Sequence, residues 1–126
     1  MAAEIVEMEQ GSSEWLALRR TMRTASETAT VMGCNPYQTP LELARQKRQL
    51  DPPPPVTAAM QLGLDKEAEV RETASEYLAP MSRSYEPAVL RDGDYLASLD
   101  GKMGDSIMEI KCPSSPRSGA LQDEVY

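Results

Sequence analysis

The 126-residue sequence has no histidine at all. That absence removes Ser–His and Cys–His nucleophilic machinery, and any zinc site built on imidazole. Cysteine is scarce: Cys34 and Cys112 are the only two, and they fit neither a metal-ligand spacing nor a disulfide framework. No apolar run approaches the roughly 18 residues that a membrane span needs. The opening MAAEIVEMEQ is acidic and lacks the basic start and apolar stretch of a signal peptide. A reducing, cytoplasmic setting is therefore expected, with a single domain over residues 1–126. Chemistry is left to carboxylates, lysines, arginines and hydroxyls.

The net charge of −7 does not suggest nucleic acid, but its distribution is uneven. Residues 1–14 carry four glutamates and no base, whereas residues 19–48 hold Arg19, Arg20, Arg23, Arg45, Lys47 and Arg48 against Glu27 and Glu42. A basic stretch inside an acidic chain is either an electrostatic footprint for phosphate or a pair of solvated arginine faces. Charge alone leaves both open.

Local patterns predict helices first. Trp15 and Leu18, three apart and flanked by Leu16, make one stripe of a helix. Thr24 and Glu27 form a capping box opening a helix through Met32, with Gly33 as its stop. A second box, Thr39 and Glu42 with Pro40 at the first helical position, opens a helix to about Arg48. Pro52–Pro55 ends it as a stiff connector. Residues 57–78 make the longest helix, with a stripe of Met60, Leu64, Ala68, Arg71, Ser75 and Leu78, and with Glu67 beside it. Strands follow over 82–90, 95–99 and 106–111, with turns at Arg91–Asp94 and Gly101–Gly104. Helices followed by an antiparallel meander define an α+β class.

The last strand carries a carboxylate and an ammonium two residues apart. Side chains at i and i+2 share a strand face, so Glu109 and Lys111 project together while Met108 and Ile110 face the other way. Simple hairpin pairing sets Asp100 nearer Ser106, although strand twist could carry it toward Glu109. Two carboxylates crowded on one sheet edge repel unless a hard divalent cation joins them. The alternative is a solvated Glu–Lys pair.

Several segments, in order, resemble one family. Gln10, Gly11, Trp15, Leu18 and Arg19 resemble an opening Q-G-x-x-x-W-x-x-L-R, and Thr24–Ser26 its T-A-S. The segment Asn35–Leu43 resembles the stretch that follows. Gly63, Glu67 and Arg71 resemble a G-x-x-x-E-x-x-x-R helix, Ser98–Gly101 an S-P-D-G turn with Leu99 in place of proline, and Glu109–Pro113 an E-[IL]-K-C-P strand. Together they are similar to the lambda-type exonuclease and YqaJ-like viral recombinase family of the PD-(D/E)XK nucleases. The resemblance implies a restriction-endonuclease-like core. It implies a Mg²⁺- or Mn²⁺-dependent exonuclease that degrades linear duplex DNA from its 5′ end during phage recombination in the bacterial host cytoplasm. It assigns metal ligation to Asp100, Glu109, the Ile110 carbonyl and Glu67, and the attacking water to Lys111. It matches Arg19 and Ser26 to the residues that hold a 5′ phosphate; Arg23, beside them in the basic stretch, is expected to bind phosphate too. The partners expected are DNA ends, a single-strand annealing protein and further copies of the chain.

The family continues beyond its E-x-K strand with a helix bearing Q-x-x-x-Y, for which only Gln122 and Tyr126 have the spacing. The domain is therefore expected to be incomplete at its C-terminus, with exposed apolar surface favouring self-association. The competing expectation is a truncated, non-catalytic relative that binds DNA or a partner protein. Iron–sulfur nucleases are excluded, because they need four cysteines.

Overall fold

The computed structural model describes residues 3–78 and 83–112. They divide into two compact units. Of the described residues, the first comprises those through Pro54 together with Pro87–Leu99, and the second those from Pro55 to Glu86 and from Asp100 to Cys112.

In the first unit, strand β1 (Glu4–Val6) precedes helix α1 (Ser13–Thr21), which Ser12 caps by accepting the Trp15 N–H. The two-residue strand β2 (Arg23–Thr24) leads into a 3₁₀ turn, Ala25–Glu27, and the short helix α2 (Thr28–Val31). Helix α3 (Pro40–Lys47) follows. Both anticipated capping boxes form, at Thr24/Glu27 and at Thr39/Glu42. Gly33 ends the first of these helical segments at φ +72°, in the left-handed region that favours glycine. Strand β3 (Glu86–Asp92) and the first half of β4 (Tyr95–Met103) complete the unit, in the strand order β1-β3-β4-β2. Met22, Val89 and Leu96 form the buried core, with Val6, Trp15 and Leu18 packed on it.

The second unit contains helix α4 (Ala58–Leu78), the end of β4, and β5 (Ser106–Met108). Among its described residues, hydrogen bonds link the buried side chains. Ser75 gives its hydroxyl proton to the Arg71 carbonyl at 2.7 Å and accepts the Tyr85 N–H at 3.0 Å. The Tyr85 phenol meets the Ser106 hydroxyl at 2.7 Å.

Four expectations need correction. The strands are not a simple meander: β1 pairs antiparallel with β3, and β2 pairs parallel with β4. The inward face of α4 is polar: Glu67, Arg71 and Ser75 turn in, whereas Met60, Leu64 and Leu78 are exposed. Strand β4 runs on through Asp100 and Gly101 to Met103, so the turn falls at Gly104–Asp105. The last strand stops at Met108 instead of Lys111.

Candidate active site

The longer β4 changes what faces Asp100. Gly101 pairs with Met108, Lys102 with Ile107 and Met103 with Ser106. Continuing that register sets Asp100 opposite Glu109, not near Ser106. Gly101 makes the alignment possible. A Cβ there would lie 3.0 Å from the Tyr85 Cβ and 3.2 Å from the Met108 Cβ, so a side chain would crowd both and one of them would have to give way. Gly104 takes the turn, at φ +58°.

Three groups converge on Asp100. Its Oδ2 accepts the Ile110 N–H at 2.8 Å. Its carbonyl accepts the Arg71 Nε–H at 2.5 Å. Its carboxylate contacts Glu67, which Arg71 pairs one helical turn away at 3.2 Å. Burial, first, and then the hydrogen bond and charge of Asp100 hold the Glu67 carboxyl above the usual carboxylate range; Arg71 opposes this. Two neighbouring carboxyl groups whose charges repel are a donor set suited to a hard divalent cation, whose charge would offset that repulsion. Asp100 and Glu67 thus fit such an ion in their chemistry. Among the described residues, no three acidic or cysteine side chains stand close enough together to form a metal site.

Glu109 is engaged elsewhere, in a 2.6 Å ion pair with Lys111, both side chains largely exposed. Met108 and Ile110 remain half-buried between the exposed Glu109 and Lys111, so the alternation persists past the end of the ladder. The hydrogen bond that Lys111 donates to the Glu109 carboxylate raises the Lys111 pKa. At neutral pH Lys111 is therefore a cationic donor and not a base.

The first unit gathers the arginines. The Arg19 guanidinium lies over the Trp15 ring, 4.5 Å from its centroid, and donates to the Ser26 hydroxyl at 3.2 Å. That hydroxyl is 3.3 Å from the Thr24 hydroxyl. Arg23 lies over Tyr95 at 5.7 Å and donates to its phenol at 3.4 Å. Both guanidiniums are held near aromatic rings and donate to hydroxyls, and a guanidinium fork suits bidentate oxyanions. The rest of the basic stretch is partly structural. Lys47 bonds the Arg19 and Met22 carbonyls at the end of α1 and pairs with Glu27 at 2.7 Å. Arg45 pairs with Asp51 at 2.8 Å. Arg23, Lys47 and Tyr95 also line an apolar cleft of about 950 Å³ with Val31, Leu43 and Leu90.

Sequence reasoning gave no role to Arg71, which fastens Asp100 to α4, although its spacing from Glu67 was the available signal. Gln122 and Tyr126 lie outside the described residues.

The model of the YqaJ-like viral recombinase domain matches residues 14–125. The chain belongs to that family. Its members are generally nucleases of phage recombination, dependent on divalent metal and acting on DNA. No curated protein and no solved structure matches the chain. No helix among the described residues is long and apolar enough to cross a membrane.

Proposed function

We propose that this YqaJ-like domain is a Mg²⁺- or Mn²⁺-dependent exonuclease with a PD-(D/E)XK core, digesting one strand of linear duplex DNA from a 5′-phosphorylated end. The observation that carries the reading is the Asp100 cluster: a carboxylate braced by the Ile110 N–H, beside the Glu67 carboxyl, whose pKa burial and the Asp100 charge raise. Asp100 and Glu67 would hold the cation, with Glu109 joining once released from Lys111, and with the Ile110 carbonyl. When bound, the cation supplies charge stabilisation for the attacking and leaving oxygens of the phosphodiester. Lys111, an ammonium at neutral pH, orients the attacking water and offsets charge on the reacting phosphate. Arg71 fixes the Asp100 backbone. Arg19, with Ser26, receives the 5′ phosphate, and Arg23 takes a neighbouring phosphate. DNA ends are the substrate; a single-strand annealing protein and further copies of the chain are the proposed partners, in the cytoplasm of the host.

The test is cleavage of linear duplex DNA, with and without 5′ phosphate, in Mg²⁺. Metal-dependent cutting that prefers the phosphorylated end, is absent in Asp100→Ala and falls by ~10²–10⁴ in Lys111→Ala at near-constant DNA affinity supports the reading. DNA binding without any metal-dependent cutting would favour the non-catalytic relative.

A further inference from the structure

The residues just before Asp100 are gripped from outside their own sheet pairing. The Gln10 side-chain amide donates to the Leu99 carbonyl at 3.0 Å and to the Ala88 carbonyl at 3.2 Å. Both of its N–H groups are used, and they tie β4 to β3 at the position before the aspartate. The Trp15 indole N–H donates to the Ser98 hydroxyl at 2.9 Å. The same ring carries the Arg19 guanidinium on its face. One half-buried, rigid side chain therefore touches both the candidate phosphate arginine and the strand that runs into Asp100.

We propose that Gln10 and Trp15 are positioning residues for the metal-binding strand, and that the indole makes phosphate binding at Arg19 and cation binding at Asp100 mutually favourable. The proposal rests on the assignment of Arg19 and Asp100 above. Backbone around a metal ligand that is held in place before binding loses less freedom when the ion arrives. An anion at Arg19 fixes the guanidinium and the ring beneath it, and so steadies the Ser98 bond. Linkage makes the effect reciprocal. Gln10 does for Leu99 what a proline at that position does by restricting the chain.

The test titrates Mn²⁺ calorimetrically into wild type, Trp15→Phe, Ser98→Ala, the double variant and Ser98→Thr. Phenylalanine keeps a ring under Arg19 but removes the N–H. Each single variant should bind Mn²⁺ about 10-fold more weakly, the low end of what outer-shell partners cost. The double variant should be no worse than either, because both changes break one bond. Ser98→Thr, which keeps the hydroxyl, should bind as wild type. A 5′-phosphorylated dinucleotide should tighten Mn²⁺ binding in wild type and not in Trp15→Phe. Additive losses, or unchanged Mn²⁺ affinity in both single variants, would overturn the proposal. Equal Mn²⁺ binding by wild type and Asp100→Ala would instead remove the metal assignment. In that event amide exchange in the metal-free protein decides: faster exchange over residues 97–100 in Ser98→Ala and Trp15→Phe supports the grip, and unchanged protection overturns it.

Discussion

The two units keep their shape by different means. The first is organised around apolar side chains, with Val89 only 1% and Leu96 only 2% exposed. The second, among its described residues, buries mainly Tyr85, Ser75 and Gly101, with Tyr85 hydrogen-bonded to Ser75 and to Ser106. Apolar packing tolerates small shifts at modest cost, whereas a chain of hydrogen bonds fails when one member is removed and its partner stays buried. The unit carrying the candidate metal ligands is therefore the more brittle toward polar substitution. The unit carrying the candidate phosphate arginines is the more brittle toward loss of volume.

The largest expected effect is on the apolar side. Leu96→Ala should destabilise the protein by about 3 kcal/mol in urea unfolding, since it empties the centre of a small core. A loss below about 1 kcal/mol would mean that this core does not carry the first unit. On the polar side, Arg71→Met keeps bulk but removes the bond to the Asp100 carbonyl and the partner of Glu67. A cost of about 2 kcal/mol is expected from the lost charged hydrogen bonds, with weaker Mn²⁺ binding; wild-type affinity would detach Arg71 from the site. Gly101→Ala should cost about 1–3 kcal/mol through overpacking against Tyr85. Its metal affinity should also fall, because Asp100 is the next residue. Gly63→Ala, on α4 where no atom approaches within 4 Å and the backbone is not left-handed, is the comparison and should cost nothing.

The smallest effect is one of sign. In the first unit, bonds from the Thr39 backbone and hydroxyl lower the Glu42 pKa. Its contribution is present above the unfolded pKa and is lost as pH falls through the folded one. In the second unit the Glu67 pKa is raised, so its contribution is present below the unfolded pKa and is lost as pH rises through the folded one. On acidification from neutral pH, the melting advantage of wild type over Glu42→Ala should shrink, while wild type should gain relative to Glu67→Gln. Parallel trends in the two variants would contradict the opposed environments.

The same contrast explains what the sequence made legible. The capping boxes were readable because Thr24 with Glu27, and Thr39 with Glu42, satisfy helix ends within four residues of chain. The fold of the site depended on choices that no short window contains. Either Gly101 or Gly104 could have made the turn. Gly104 does, because Gly101 is needed where Tyr85 and Met108 leave no space. That single choice sets Asp100 opposite Glu109. The inward face of α4 was misjudged for a related reason: apolar periodicity marks a greasy interior, and this interior is built from Glu67, Arg71 and Ser75. Strand β1 escaped notice because Glu4–Val6 is short and its partners, Val89–Arg91, lie far along the chain. The candidate site residues were legible through their resemblance to the family; their mutual geometry was not.

The arrangement of β4 and α4 also has a consequence for the order of synthesis. Of the core cluster Met22, Val89 and Leu96, the last two are encoded after the whole of helix α4. As the chain leaves the ribosome, α1, α2 and α3 emerge with Met22 alone of that core and wait for the strands that cover them. Closure of the N-terminal unit is a late, long-range event, and until then its apolar faces are open to chaperones or to aggregation. An arrested chain ending within the Pro52–Pro55 segment should show helix content without cooperative melting.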